Sequence, residues 1–274
     1  MTSGGASALW SEISLREVAP GTVVLWWLYQ SGVVLKSPGG TVLAVDPYLS
    51  DAVVRSYNQP RAVPAPLDPA EAALDALLAT HSHEDHLDPD SIVPFFSHQR
   101  TRFIGPPLAV AKVMAAGVEA ERTTAIRRGE RVQVGDVSVR AVYALHQFAP
   151  EPVPDAVGYV LGAGPVSIYH SGDTEFAPEI LEDTRQVTAS LLPINGTAGN
   201  MGIEEAAGLA SAQQVRLAIP FHYGLWKDAD YGEGATLDPH GFVEAYLRLR
   251  PDGSAHVLKP ASLVLIDENG LYAG

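Results

Sequence analysis

The stretch Thr80-His81-Ser82-His83-Glu84-Asp85-His86-Leu87-Asp88 holds three of the nine histidines of this chain within six residues. The apolar run before it, residues 76–79, is typical of a buried strand. The pair Asp88-Pro89 after it is typical of a helix start, because Asp caps helices and Pro tolerates the first helical position. The pattern predicts a strand-to-helix loop, where a rigid scaffold can present reactive side chains.

The spacing within this loop points to metal binding. Side chains alternate in an extended chain, so His81 and His83 lie on one side and can share a metal ion. Asp85 and His86 lie where the chain begins to turn and can face a second ion. Neutral imidazole binds zinc, manganese, iron or nickel, and a carboxylate makes the ligand set of the second site harder, in the sense of hard and soft metal ligands. The alternative is a solvated polar loop, which we disfavour because histidines this close repel one another once protonated.

One loop cannot complete a metal site, so further ligands must come from elsewhere in the chain. His146, Asp173 and His222 each directly follow or closely follow a β-rich run, as the histidine cluster does. We therefore expect these three side chains to join the cluster. His170 lies three residues before Asp173, within the predicted strand, and we expect it to support a ligand or pack in the core. The remaining histidines with an ordinary structural setting are His98, His240 and His256.

Composition and charge narrow the class of protein. The chain has 274 residues, 46% of them hydrophobic, which is too apolar for a disordered chain and enough for a full core. It has no cysteine, which excludes thiolate ligands, disulfides and a cysteine nucleophile. The net charge of −14 disfavours nucleic acids and anionic membranes as partners, although such a charge also serves solubility. We expect a small-molecule substrate instead.

Targeting and membrane signals are weak. The longest apolar run, residues 23–29, has seven residues, whereas a membrane-spanning helix needs about 20. Residues 1–10 have neither a basic residue nor an apolar stretch of signal-peptide length. The expected location is therefore cytoplasmic.

The order of the predicted elements indicates the fold class. Short β-rich runs fill the first half, and strands alternate with helices in the second half, which predicts two sheets with helices outside them. We expect a single domain over residues 1–274, with residues 1–20 as an N-terminal arm. Residues 46–66 are rich in proline and polar residues and predict a loop, and residues 69–73 predict a short helix.

These motifs together resemble the metallo-β-lactamase superfamily. Its signature His-x-His-x-Asp-His matches residues 81–86, and a later histidine, a Gly-Asp at a strand end and a last histidine follow in order. Within the superfamily the chain is similar to the L-ascorbate-6-phosphate lactonase group. The similar stretches are residues 18–28 (VAPGTVVLWWL), 35–41 (LKSPGGT), 78–81 (LATH), 103–106 (FIGP), 169–173 (YHSGD) and 219–222 (IPFH).

The resemblance implies a fold, a ligand set and a cofactor. The fold is a mixed α/β, four-layer αββα sandwich with two divalent ions, manganese or zinc, in the groove between the sheets. The first ion would be held by His81, His83 and His146, the second by Asp85, His86 and His222, and Asp173 would bridge them. The lactonases are longer and carry insertions that this chain lacks. The group also suggests self-association into a homo-oligomer.

The expected activity is that of a metal-dependent hydrolase, most specifically a lactonase that opens a lactone or similar ester of a small, sugar-derived or phosphorylated substrate. Metal binding lowers the pKa of water to about 7, so hydroxide is available at neutral pH. Asp85 would orient this hydroxide or carry its proton. The alternatives are a phosphodiesterase or another metallohydrolase on the same scaffold, and a non-catalytic, metal-stabilised binding protein. Candidate substrate-binding residues are Arg55, Asn195, Tyr223, Trp226 and Lys227.

Overall fold

A computed structural model describes residues 4–148, 152–226 and 238–271, and within them the predicted αββα sandwich is confirmed. The strands are β1 Thr22–Trp27, β2 Val33–Lys36, β3 Val42–Val45, β4 Ala76–Leu78, β5 Arg102–Gly105, β6 Thr123–Ala125, β7 Arg131–Val134, β8 Val137–Tyr143, β9 Val157–Ala163, β10 Val166–His170, β11 Ala189–Pro193, β12 Leu217–Phe221, β13 Leu263–Asp267 and β14 Gly270–Leu271. The helices are α1 Gly4–Leu15, α2 Ala52–Tyr57, α3 Ile92–Phe95, α4 Pro107–Ala115, α5 Pro178–Thr184, α6 Ile203–Gln213 and α7 Pro239–Leu249.

The strands form two mixed sheets. The described part of the first sheet has the order β14-β13-β1-β2-β3-β4-β5-β6, with β3 to β6 parallel to one another. The second has the order β12-β11-β10-β9-β8-β7, with β10, β11 and β12 parallel. Parallel neighbours place their carboxyl ends at one edge of a sheet, which is where ligands bind in α/β proteins.

The first sheet is buried on both faces, because alternate residues of a strand point to opposite sides. In β1, Val23, Leu25 and Trp27 pack toward the second sheet and its outer helices α5, α6 and α7. Val24 and Trp26 pack on the other face, against α1, α3 and α4. Every residue of β1 is buried, as expected for a strand with layers on both sides.

Three local predictions are wrong. Residues 46–66 are not all loop, because α2 forms within them and buries Ala52 and Val53. Residues 69–73 do not form a helix; the chain makes a turn there, in which the backbone N–H of Glu71 donates to the Asp68 carbonyl over 3.1 Å. In both places a distant side chain binds the backbone, Asp88 just before α2 and Arg100 at the Ala73 carbonyl, and these contacts outweigh the local composition. The predicted helix start at Asp88-Pro89 is a turn, and α3 begins three residues after Pro89, at Ile92.

Among the described residues, none of the helices has the length and apolar character needed to cross a membrane. The extent of the single domain, the cytoplasmic location and self-association stay predictions. Helix α1 lies within the predicted N-terminal arm, and its Leu9 and Ile13 are buried in the core beneath the first sheet.

Candidate metal centre

The fold brings the carboxyl ends of distant strands to one edge of the sandwich. The histidine cluster follows β4, His146 follows β8, Asp173 follows β10 and His222 directly follows β12. All seven predicted ligands lie together there, although they are up to about 140 residues apart in the chain. They form overlapping three-residue groups in which the potential ligand atoms lie within 4.8 Å of one another.

The first group consists of His81, His83 and His146. The Nδ1 atom of His83 lies 3.0 Å from Nε2 of His81 and 3.1 Å from Nε2 of His146. His81 and His146 are buried, and His83 is half-buried at the edge of the cavity. Three ring nitrogens thus converge on one point, which is the arrangement of ligands around a first-row divalent ion.

The second group consists of Asp85, His86 and His222. The Asp85 Oδ2 atom lies 3.7 Å from Nε2 of His86 and 3.9 Å from Nε2 of His222. Asp173 faces both imidazoles, because its Oδ1 atom is 3.2 Å from His86 Nε2 and 3.0 Å from His222 Nε2. This group therefore combines two imidazoles with two carboxylates, a harder ligand set than that of the first group.

Asp173 also reaches the first group. Its second oxygen, Oδ2, lies 4.0 Å from His146 Nε2, and Asp173 forms a third three-residue group with His81 and His86. Its side chain is nearly buried between the two pockets. A single carboxylate with one oxygen on each side is the geometry that a bridge between two ions requires.

The donor set fits divalent ions. His86 Nε2 and Asp173 Oδ1 are buried, and neither has a hydrogen-bond partner of suitable geometry within the described part of the chain. Such orphaned polar atoms are rare in native interiors and call for a bound group. In the first group, one nitrogen from each of three imidazoles faces the others. A ring nitrogen without a proton has a lone pair that can bind a metal ion.

The electrostatics of the two groups differ. Burial lowers the pKa of His81 well below its ordinary value, and nearby His86 adds to this effect. Burial likewise lowers the pKa of His146. Burial also acts to lower the pKa of His86, but the carboxylates around it outweigh burial and raise this pKa well above its usual range. The imidazoles of His81 and His146 are therefore neutral, and a divalent ion in the second pocket would take the place of the proton on His86 Nε2.

Several supporting residues were not predicted from the sequence. Asp46, directly after β3, is fully buried, and its Oδ2 atom accepts hydrogen bonds from Nδ1 of His86 at 2.8 Å and from the Thr80 hydroxyl at 2.6 Å. The Gly199 carbonyl accepts from Nδ1 of His146 at 3.2 Å. Both bonds hold the proton on Nδ1 and leave Nε2 for a metal. Asp46 follows a buried strand just as the histidine cluster does, and this signal could have identified it.

A loop after β11 supports Asp173. The side-chain amide of Asn200 donates to Asp173 Oδ2 over 2.9 Å, so the loop that carries Gly199 also orients the carboxylate. Asn195 lies in the same loop but is buried, with its Nδ2 atom 3.4 Å from the Thr197 carbonyl. The Asn195 side chain thus contacts the backbone of its own loop, and Thr197 of that loop lines the cavity.

His170 lies behind the site. Its Nε2 donates to the carbonyl of Ser31 over 2.8 Å, and its Nδ1 accepts from the backbone N–H of Gly172 over 3.2 Å. Burial lowers its pKa. With both ring nitrogens engaged by the backbone, His170 has the surroundings of a supporting residue.

The cavity above the ligands has a volume of about 300 Å³. Of the predicted substrate-binding residues, Trp226 lines it, and Lys227 lies outside the described residues. Arg55 binds both oxygens of Asp90 at 2.8 Å, and Tyr223 packs on Trp27 with ring centroids 4.9 Å apart. Besides the ligands, the lining residues are Val53, Tyr57, Gln59, Phe148, Thr197, Ala198 and Trp226.

The remaining histidines lie away from this cavity. The Nε2 atom of His98 lies 2.9 Å from the Ala70 carbonyl, and His240 lies in the first turn of α7. The backbone N–H of His256 bonds to the Ala218 carbonyl over 3.0 Å. The described contacts of these three histidines are therefore structural.

Comparison with known proteins agrees with this geometry. The family profile described as "Beta-lactamase superfamily domain" matches residues 41–223. The probable L-ascorbate-6-phosphate lactonase UlaG of Escherichia fergusonii is 29% identical over 262 residues, covering 79% of this chain and 74% of the relative.

Solved structures share the fold at lower identity. Igni18, a metallo hydrolase from Ignicoccus hospitalis, superposes with a TM-score of 0.68 at 20% identity, covering 90% of this chain and 99% of that one. CmlA, a diiron β-hydroxylase from Streptomyces venezuelae, superposes with a TM-score of 0.64 at 15% identity, covering 92% of this chain and 55% of that one. One architecture thus carries different reactions, and the substrate must be argued from the site.

Proposed function

Because the chain belongs to the beta-lactamase superfamily and is a hydrolase of that fold, we propose that it opens a lactone or a similar small ester with two divalent ions. The first ion would be held by His81, His83 and His146, the second by Asp85, His86 and His222, and Asp173 would lie between them. The observation that carries the proposal is the position of Asp173. Its Oδ1 atom lies 3.0 Å from His222 Nε2 in the second pocket, and its Oδ2 atom lies 4.0 Å from His146 Nε2 in the first.

Zinc or manganese bound in these pockets would supply a Lewis acid for the acceptor oxygen and a water of lowered pKa. The chain's own residues provide the rest of the site. Asp46 and Gly199 hold the protons of His86 and His146 on Nδ1, and Asn200 fixes the orientation of Asp173. These bonds prepare the ligand geometry before substrate binds, so little reorganisation is needed during the reaction.

Asp85 is the candidate for proton transfer. It lines the cavity, and its side chain is 20% exposed, whereas that of Asp173 is 6% exposed. A carboxylate at the boundary between the metal ligands and the cavity is positioned to orient an attacking water and to pass a proton to the leaving group.

The cavity wall favours a small ring substrate with an apolar part. Val53, Phe148 and Trp226 present apolar surface, and a volume of about 300 Å³ fits a compact molecule. The guanidinium of Arg55 is held by Asp90 outside this wall, so it does not supply a phosphate contact in the described structure. These features support a compact lactone with an apolar part.

The test uses the purified, metal-loaded protein. Its metal content is measured by elemental analysis, and its hydrolysis of neutral and phosphorylated lactones is followed with zinc or manganese and with a chelator. We expect two ions per chain and metal-dependent opening of a neutral lactone such as dihydrocoumarin. Hydrolysis of bis(p-nitrophenyl) phosphate without any lactone opening would indicate a phosphodiesterase instead. A stable protein without bound metal would contradict both enzymatic assignments.

A further inference from the structure

The turn between β1 and β2 has an unusual backbone. Tyr29 and Gln30 have φ values of 72° and 51°, and this left-handed region is uncommon for residues other than glycine, asparagine and aspartate. A short hairpin turn that needs such angles ordinarily uses Asn-Gly. Gln30 is also buried, with 1% of its surface exposed. Strained, buried polar residues persist where the surrounding structure holds them, and they cluster at functional sites.

This turn contacts the metal centre from behind. The Gln30 carbonyl accepts hydrogen bonds from the His222 backbone N–H at 3.0 Å and from the Trp27 indole at 2.9 Å. The next carbonyl, that of Ser31, accepts from His170 at 2.8 Å. The strained turn of the first sheet is thus hydrogen-bonded to the second sheet at the ends of the two strands that precede His222 and Asp173.

The Gln30 side chain contacts the His222 ring itself. Its amide nitrogen lies 3.3 Å from Nδ1 and 3.5 Å from Nε2 of that imidazole. The two ring nitrogens point in different directions, so a group directed at one of them in the ring plane would lie much farther from the other. The amide is therefore not directed at one nitrogen alone: it lies within 3.5 Å of both ring nitrogens and so restricts rotation of the imidazole.

We propose that Gln30 is a positioning residue for the second metal pocket and keeps His222 Nε2 directed at the ion. This inference rests on the proposed two-metal function. A ligand whose rotamer is locked by its neighbours binds metal with less loss of conformational freedom, and removing such a neighbour weakens affinity. The first pocket has no contact with Gln30 among the described residues and should keep its affinity.

The chain offers a matched control for the test. Gln214, which directly follows α6 as its C-terminal cap, has a φ of 58° but is exposed and far from the metal centre in the fold. Gln30→Gly and Gln214→Gly remove the same side chain from the same backbone region, and glycine adopts this region freely. A third variant, Gln30→Asn, keeps an amide and tolerates a left-handed backbone.

The measurement is a chelator-competition titration of metal-free protein with zinc, which yields two dissociation constants. In Gln30→Gly we expect one constant to rise about 10- to 100-fold while the other stays unchanged. In Gln214→Gly both constants should equal those of the wild type, and Gln30→Asn should recover part of the loss. Thermal unfolding of the metal-free proteins shows whether each variant retains the fold.

The outcomes separate this inference from the function on which it rests. Two unchanged constants in Gln30→Gly would overturn the role of Gln30 and leave the two-metal site intact. Equal weakening of both constants, together with early unfolding of the metal-free variant, would assign Gln30 a general structural role and also overturn the inference. A wild-type protein that binds no divalent ion would contradict the proposed function itself.

Discussion

Asp88 and Asp173 are both buried aspartates at strand-end loops, with 3% and 5% of their surfaces exposed, but their surroundings differ. The Asp88 carboxylate accepts five hydrogen bonds, from the backbone N–H groups of Leu49, Ser50 and Asp90 and the hydroxyls of Ser50 and Ser91. Asp173 Oδ2 accepts one, from Asn200, and its Oδ1 atom has no hydrogen-bond partner in the described structure.

The difference distinguishes a structural carboxylate from a candidate metal ligand. Burying a charge is costly unless it is paired and hydrogen-bonded, and Asp88 is fully supplied with donors by the chain. Asp173 faces imidazole nitrogens instead, and the positive charge of His222 and His86 holds its pKa well below the usual range despite burial. The chain satisfies Asp88 by itself, whereas Asp173 is arranged to be satisfied by cations.

The largest expected effect comes from removing a ligand. His83→Ala or Asp173→Ala should reduce lactone hydrolysis to background, because each substitution removes a side chain that is proposed to hold a metal ion. The far-UV circular dichroism of both variants should remain that of the wild type. His256→Ala serves as the control and should keep its activity; equal losses in all three variants would mean that the site is misassigned.

A smaller effect is expected from Asp46→Asn. An amide cannot accept hydrogen bonds at its NH₂ group, so His86 or Thr80 loses a partner and the His86 ring is no longer held in one tautomer. We expect metal affinity to fall about 10- to 100-fold, measured by competition with a chelator. Asp88→Asn is the matched control, and it should keep both metal dissociation constants. A similar loss of affinity in the two variants would remove the distinction drawn between them.

Removing the metal should destabilise the fold moderately. An ion at 100 times its dissociation constant stabilises the folded state by about 2.7 kcal/mol. With two such ions per chain, we expect a chelator to lower Tm by about 10–20 °C in the wild type. The same chelator should change the Tm of Asp173→Ala much less, since that variant lacks the carboxylate proposed to bridge the two ions. An unchanged wild-type Tm would show that the pockets hold no ion.

Asp88→Asn should affect stability rather than metal binding. The amide leaves some of the donors around position 88 without an acceptor, which should lower the free energy of unfolding by about 1–3 kcal/mol. Urea unfolding measures this loss, and elemental analysis should still find two ions per chain. Loss of an ion in this variant would place Asp88 in the metal site after all.

The smallest effect concerns a carboxylate at the surface. Burial acts to raise the pKa of Asp136, but hydrogen bonds from Ser37, Thr41 and Gly39 outweigh it and lower this pKa below 3.8. A lowered folded-state pKa means that the stabilisation is fully present above pH 3.8 and is lost as pH falls through the folded-state value. The free energy of unfolding of Asp136→Asn should therefore be about 1 kcal/mol lower than that of the wild type at neutral pH. This difference should become smaller at acidic pH.

Urea unfolding of wild type and Asp136→Asn between pH 2 and 7 measures this dependence, roughly spanning the range in which carboxylates titrate. Catalytic activity should be the same in both proteins at neutral pH. A stability difference that stays constant down to the lowest pH would show that the ionised carboxylate is not the source of the stabilisation.

The candidate ligands were open to prediction because each leaves a local signal. The histidine cluster, Asp173 and His222 follow runs of apolar, β-branched residues, and strand ends are where such folds collect reactive side chains. Helix α2 gave no such signal, because its position depends on Asp88, which binds the backbone of Leu49 and Ser50 just before it. The chain between β3 and α2 is thus held by a carboxylate about 40 residues away.

The amino-acid sequence alone determined the fold class and the residue types available for metal binding, because hydrophobic periodicity and the spacing His-x-His-x-Asp-His are local properties of the chain. Only the tertiary structure decided which polar groups face one another. The contact of Gln30 with His222 joins residues 192 positions apart, and that of Asp46 with His86 joins residues 40 apart. The first pair depends on how the two sheets pack, and the second on the pairing of β3 with β4 within one sheet. No local pattern encodes the distance between atoms that are brought together only by the folded core.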